Sequence, residues 1–502
     1  MIRYSLLAMV ITFICVYGFR DWFKALCLLI PLIAVLERPD MPRSIMGISG
    51  LNPYNIALAF IMLAFLLDKT KLGKVRFPPM IVGLSLSFGA VFAFSFYRGI
   101  TDLDGLHELM DFARRPRFSM TSIAIDYMIN PIRFVIPGFL LAMGIWNSER
   151  LRWAVWSYFA LGSLLALQIL IRMTPALLGA DDLADRALRV LNRDIGFHRV
   201  EASTFMALFT AAAMATWVVG TTKTERTMGL LATGPFLLAL ALTGGRAGLL
   251  AGVATCGLLT FMKKPKLFFV APFILLPAIP LVPGLQDRML EGFVESESAS
   301  YSQGEEFGLT TDGGQDLYAI TSGRALVWPM VWDQFLESPV IGEGRDTMRR
   351  EGLTLSIAGI LGDHRTDFAH PHNAYLEVLI DNGVLGAIPI FWFFGLITLW
   401  AFRDFRRSED PDLRLLGGLA FAGLVTFYLC CVGSGSFYPQ LRTVPLWCTI
   451  GLYLGAKFAL ERQAAAAGEP EPVPTEAQFT AESRESPLWN KGRGSDRWIR
   501  SW

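Results

Sequence analysis

MGLLATGPFLLALALTGGRAGLLAGVATCGLLTFM, residues 228–262, contains a single charged side chain, Arg246. Two apolar runs, 228–242 and 247–262, flank the turn Leu242-Thr243-Gly244-Gly245-Arg246-Ala247-Gly248 and leave almost no loop between them. Neither run carries the polar face that a helix at a protein–water boundary needs. They read as two membrane-embedded helices that turn back at Arg246, so lipid is part of this chain's solvent.

The same pattern repeats on both sides. Eleven spans read clearly, at roughly 52–67, 78–97, 122–145, 153–171, 202–220, 228–242, 247–262, 267–283, 376–401, 413–433 and 443–461. Ahead of them lie two shorter runs, about 4–19 and 25–36, separated by Arg20, Asp21 and Lys24. These are two short spans or one span plus an interfacial helix, giving 12 or 13 in all. The fold class is all-α, a polytopic integral membrane protein with one long outward loop carrying short amphipathic helices. It divides into N-terminal short membrane helices (1–51), a helical core (52–283), the large loop (284–371), C-terminal membrane helices (372–461) and a disordered cytoplasmic tail (462–502).

Composition agrees. The chain is 53% hydrophobic and 18% charged, whereas soluble domains carry about a quarter charged residues. A net charge of +1 excludes a nucleic-acid partner, which demands a basic patch or stripe. Cys15, Cys27, Cys256, Cys430, Cys431 and Cys448 all lie in apolar runs, with no disulfide framework or metal spacing. The first apolar run has no small-residue cleavage site, so no cleavable signal is expected.

Lysine sets the orientation. All ten lysines (24, 69, 71, 74, 223, 263, 264, 266, 457 and 491) fall on one side of these spans, the cytoplasm by the positive-inside rule. The loops 98–121, 172–201, 284–371 and 434–442 then face outward. They hold no lysine but many arginines, among them Arg114, Arg115, Arg186, Arg193, Arg199, Arg324, Arg345 and Arg365. Some of these pair with local carboxylates. Others are candidates for phosphate, which the planar guanidinium binds through two hydrogen bonds at once.

Three stretches carry chemistry. Arg246 is held at the outer membrane boundary among small residues, and charge at that depth is costly and functional. Thr321-Ser322-Gly323-Arg324 opens an amphipathic helix, capped by Thr321 or Ser322, whose Trp328, Trp332 and Phe335 form one apolar stripe on the membrane surface. Pro339, Gly342 and Gly344 make a tight turn before Arg345. The third stretch is His370-Pro371-His372-Asn373-Ala374-Tyr375, running on to Asp381, Gly383 and Gly386. Pro371 suits a first helical turn. His372 then stands at a positive helix end, which favours a neutral base. His372, Tyr375, Leu379 and Gly386 share one helical face, and Gly383 and Gly386 admit a second helix closely. His370 with His372 is too small a set for zinc, and no metal or cofactor is expected.

Arg246, Arg324 and the His372 stretch occur in this order around one long outward loop. That arrangement resembles the O-antigen ligase and polymerase family of bacterial envelope glycosyltransferases. Its pattern has an arginine in a T-G-x-R-like turn, a G-R…W…P…G-x-G stretch and H-N-x-Y-L…E-x-G-x-x-G. The last acidic position is Asp381 here rather than Glu, and the turn reads Thr-Gly-Gly-Arg. The resemblance covers roughly residues 200–400. It implies a metal-independent transferase in the bacterial inner membrane, active on the periplasmic face, whose donor is a glycan on undecaprenyl pyrophosphate. The acceptor is a sugar hydroxyl on a glycan or on lipid A-core. Chain-length regulators or other polysaccharide-assembly proteins are possible partners. His372 would be the general base, with His370 mattering much less. Arg246 and Arg324, and more weakly Arg199, would hold the pyrophosphate, with Asn373, Tyr375, Asp381, Gly383 and Gly386 in support. The length and the extra N-terminal runs lean slightly towards an O-antigen or exopolysaccharide polymerase, with a ligase as the alternative. Arg133, within a span, keeps open a competing reading as a lipid-linked glycan flippase or transporter. A purely structural scaffold would not need Arg246 or His372 where they are.

Overall fold

The computed structural model describes residues 2–45, 48–68, 77–179, 182–275, 282, 284–290, 293, 307–311, 315–361, 368–433 and 435–466. The lysines of 69–76, His364, Arg365, much of the long loop's first half and the tail from 467 onward lie outside these residues.

The chain is a polytopic helical membrane protein. Among the described residues, eight helices are long and apolar enough to cross a membrane. They are Arg3–Arg20, Pro79–Thr101, Met120–Gly144, Ser148–Ala176, Arg199–Val219, Ala374–Arg407, Pro411–Gly433 and Leu441–Gln463. Trp22–Leu36 and Pro53–Leu67 are apolar but have only 15 residues each, about 23 Å of helix against a hydrocarbon thickness of about 30 Å. The quoted stretch is a helical hairpin, Lys223–Leu242 and Arg246–Lys263, and the following run is helical over Pro265–Leu275.

Trp22–Leu36 packs inside the protein. Asp21 breaks the chain after Arg20 and caps the new helix, accepting from the Phe23 and Lys24 amides at 3.1 and 3.2 Å. Phe23, Ala25 and Leu26 are fully buried. A helix enclosed by protein need not match the thickness of the lipid.

The Arg199–Val219 helix forms the centre, packed by the Lys223–Leu242, Arg246–Lys263 and Pro411–Gly433 helices. Small residues permit such contacts. Where Asn130–Gly144 crosses Val444–Ala466, a Cβ on Gly138 would sit 2.2 Å from the Trp447 carbonyl oxygen. The last helix runs to Ala466, five residues into the expected tail.

Arg133 is drawn out of the transporter argument. Its guanidinium donates to Asn55 Oδ1 at 3.1 Å and stands 4.0 Å from Glu37. Both partners lie at chain turns, Glu37 closing one helix and Asn55 opening another. Among the described residues the charge is met by these two partners, which come from neighbouring helix ends.

The described part of the long loop folds onto the membrane helices. Val327, Val331, Phe335, Met348, Leu353, Ile357 and Phe368 make a separate apolar core closed by Ile380 of the Ala374–Arg407 helix. This corrects the aromatic stripe. In the Arg324–Glu337 helix the inward face is Val327, Val331 and Phe335, while Trp332 is 47% exposed and Trp328 donates to the Pro371 carbonyl at 3.0 Å. Docking against Ile380 sets the inward face, and ring periodicity alone does not reveal it. The cap residue is Gly323, with φ 80°, although Thr321 Oγ1 still accepts the Ala325 amide at 3.0 Å.

Candidate functional site

The Ala374–Arg407 helix is the platform of the site. It begins at Ala374 because Asn373 caps it, its Oδ1 accepting the Tyr375 and Leu376 amides. Tyr375 anchors it sideways, donating from its hydroxyl to the Tyr428 carbonyl at 3.2 Å. Gly383 kinks it, with φ 62° and ψ −173°. The kink frees backbone groups that the Pro339–Arg345 turn satisfies. Glu343 N–H donates to the Ile380 carbonyl, Gly344 N–H to that of Asp381, and the Val384 and Leu385 amides to Pro339 and Val340. It is therefore a loop that approaches Gly383, not a second helix. Gly386 does face a helix, the nearest atom there being Val91 Cγ1. Because the kink breaks the helical phase and His372 precedes the helix, the expected face of His372, Tyr375, Leu379 and Gly386 does not form.

A methyl on Gly383 would lie 2.3 Å from the Val340 carbonyl carbon while φ stays positive. Gly383→Ala is therefore expected to destabilise by about 2 kcal/mol or more. Thermal melting of the purified chain checks this; an unchanged midpoint would mean that the kink relaxes.

Charge locks the turn to the platform. Arg345 donates to Glu377 at 2.9 Å and to Asp381 at 3.0 Å, and lies 3.6 Å from the Tyr438 ring centroid. Asp381 also accepts the Thr347 amide, and Glu377 accepts the Ser436 hydroxyl at 2.6 Å. Burial opposes the Arg345 charge, but Glu377 and the other negative neighbours outweigh it and hold its pKa well above the ordinary value. Arg349 pairs with Asp346, and Tyr127 donates to the same carboxylate. For these arginines the local-pairing explanation is the right one.

Arg324 differs. Among the described residues no carboxylate pairs with it; Nη1 donates to its own Thr321 carbonyl at 2.7 Å, and buried Nε has no partner. Burial lowers its pKa to about 10, with the neighbouring Arg246 adding to the effect. Arg246 reaches across from the hairpin and donates from Nη2 to the Ala319 carbonyl at 3.0 Å and to Ser322 Oγ at 2.7 Å. The two arginines are thus near neighbours that repel each other. An anion between them would relieve both the repulsion and the desolvation.

Several helix N-termini meet here. Arg246, Arg324 and Arg199 are each the first residue of their helices. A Cβ on Gly245 or Gly248 would fall within 2.7 Å of Ser203, so the Arg199–Val219 and Arg246–Lys263 helices nearly touch at their starts. Ala247 Cβ sits against Gly433, which brings in the chain leading to the last helix. Helix N-termini carry partial positive charge and unbonded amides, the usual setting for phosphate. The described lysines lie elsewhere: Lys263 closes the helix that Arg246 opens, and Lys457 lies well down the last helix.

His372 lies two residues before the platform helix, with φ 50°. Pro371 is consequently outside the first turn. The left-handed backbone is held by His370, whose Nδ1 accepts the His372 amide at 3.2 Å and whose ring centroid lies 4.1 Å away. Phe368 meets the other side of the His372 ring edge-on at 5.7 Å. Burial, then His372 and nearby arginines, push the His370 pKa well below 6.5, so it is neutral at pH 7. Sequence reasoning set His370 aside; the structure makes it the direct support of His372. Arg442, in the turn before the last helix, was also missed. Its charge bears on both His198 and His370.

Residues 231–391 match the model of the family described as O-antigen ligase, and the matched stretch takes in Arg246, Arg324, His370 and His372. A comparison with curated proteins returned no match.

Proposed function

We propose, proceeding from that family match, that this chain is a membrane glycosyltransferase that moves a glycan from undecaprenyl pyrophosphate to an acceptor sugar hydroxyl. The observation that carries the proposal is the meeting of Arg246 and Arg324 at a cluster of helix N-termini inside the matched region, with the platform joined to them where Trp328 donates to Pro371 beside His372. In this reaction the acceptor oxygen attacks the anomeric carbon and the bond from that carbon to the pyrophosphate oxygen breaks. The acceptor proton passes to His372. The lipid pyrophosphate leaves with the bonding electron pair, its charge met by Arg246 and Arg324, with Arg199 at the same end of the bundle. Asn373, Tyr375, Asp381 and Gly383 act by fixing the platform. The acceptor is then a growing glycan, in O-antigen or exopolysaccharide polymerisation, with ligation to lipid A-core as the alternative. The flippase alternative rests on Arg133, whose guanidinium has Asn55 and Glu37 as local partners.

The reading places the arginine end in the periplasm and the lysine end in the cytoplasm of an inner-membrane protein. Single-cysteine variants Lys264→Cys and Thr310→Cys test this. An impermeant thiol reagent should label intact cells at 310 and not at 264. Labelling of both, or of neither until the cells are lysed, would overturn the orientation. The transfer itself is tested with purified chain, lipid-linked donor and acceptor. Growth of the acceptor with release of lipid pyrophosphate supports the reading, and donor left intact opposes it.

A further inference from the structure

Arg442 is 7% exposed, and its Nε is fully buried without a hydrogen bond. Among the described residues it has neither a hydrogen-bond partner nor a carboxylate. Its position is well fixed. It lies in the turn Leu441–Thr443, where the Thr443 hydroxyl accepts the Gln440 amide at 3.0 Å and donates to the Gln440 carbonyl at 2.8 Å, just ahead of the Val444–Ala466 helix. The turn packs against the Arg199–Val219 helix, and the guanidinium is close enough to disfavour protonation of both His198 and His370. The arginine therefore lies within electrostatic reach of both histidines, on a segment separate from those that carry Arg246 and Arg324.

A buried cation without a counter-charge costs folding free energy and persists where function needs it. Arg345 shows what this protein does when an arginine is structural: two carboxylates meet it. Among the described residues Arg442 has no such arrangement. We propose that Arg442 is a third substrate-binding arginine, taking phosphate or carboxylate oxygens of the substrate on the His370 side of the site. The identity of that substrate rests on the glycosyl-transfer reading. The oxyanion comes either from the donor's pyrophosphate or from an acidic sugar of the glycan.

The test uses the full chain. Arg442→Met keeps the volume and removes the charge. In cells it should yield about 10- to 100-fold less glycan product, the usual worth of hydrogen bonds to a charged group. The melting temperature of the purified variant should be unchanged or higher, since a buried unpaired charge has been removed. Normal product from Arg442→Met would overturn the assignment. If Arg442→Met melts lower, Arg442→Lys decides. Recovery of both melting temperature and product would make Arg442 a structural cation and overturn the proposal. Recovery of melting temperature alone would support it, because lysine lacks the guanidinium fork. Melting shifts with inorganic pyrophosphate and with glucuronate separate the sources. Loss of the pyrophosphate shift in Arg442→Met assigns the donor's phosphates, and loss of the glucuronate shift assigns an acidic sugar. Normal product from Arg442→Met beside failed Arg246→Lys and Arg324→Lys variants would sink this inference alone. Normal product from those two variants would remove their pyrophosphate role, and donor left intact by the purified wild-type chain would sink the transfer reading itself.

Discussion

His372→Ala is expected to insert and to bind lipid-linked donor, yet to turn it over about 10²–10⁴-fold more slowly, the usual worth of a general base. The geometry sharpens this expectation. His372 has a left-handed backbone whose amide His370 accepts, and its ring meets those of His370 and Phe368, so the imidazole is positioned by these neighbours. His370→Ala removes that support without removing the base, and an intermediate loss of about 10-fold is expected for a loosened catalytic group. His370→Asn, whose side-chain oxygen can still accept the amide, should recover most of it. The check is turnover by the purified variants. Full activity in His372→Ala would remove the base from the scheme and leave the arginines as the whole catalytic device.

Arg246→Lys and Arg324→Lys are each expected to cost about 10²-fold although charge is kept, comparable with loss of one preorganised donor to a developing anion. For Arg246 there is a second reason. Its Nη2 already donates to Ala319 and Ser322, the turn that leads into the Arg324 helix. A lysine ammonium cannot hold that turn and present a planar fork to a phosphate as well. The two substitutions should therefore combine non-additively, as groups sharing one partner do. Product assayed in cells and with purified chain measures this. Near-normal product from both variants would remove the pyrophosphate role.

Much of the fold was legible because a membrane helix announces itself through its own composition. The turn at Arg246 and the starts of the helices after residues 198, 323 and 373 could be placed to within a few residues. What escaped depends on contacts between distant segments. The inward face of Arg324–Glu337 follows from docking on Ile380. The kink at Gly383 follows from the approach of Val340, which no local pattern around residue 383 encodes. Among the outward arginines, sequence could only say that some pair with acids and some do not. Arg345 proved to be paired by residues 32 and 36 positions away. Arg442 escaped because it is a lone arginine in a short loop, and what marks it is that none of the described residues bonds or pairs with it once the chain is folded. His370 has the same character, since its importance is visible only through the backbone it supports.

The central claim is that bond-making happens at the arginine-rich outer end without a metal. The most direct measurement incubates purified wild-type chain with a lipid-pyrophosphate-linked glycan and an acceptor in EDTA, and follows free lipid pyrophosphate together with transferred glycan. The account predicts that the two rise together, one for one, unaffected by the chelator. Donor that crosses the bilayer of a reconstituted vesicle uncleaved, or transfer abolished by EDTA and restored by a divalent cation, would contradict it.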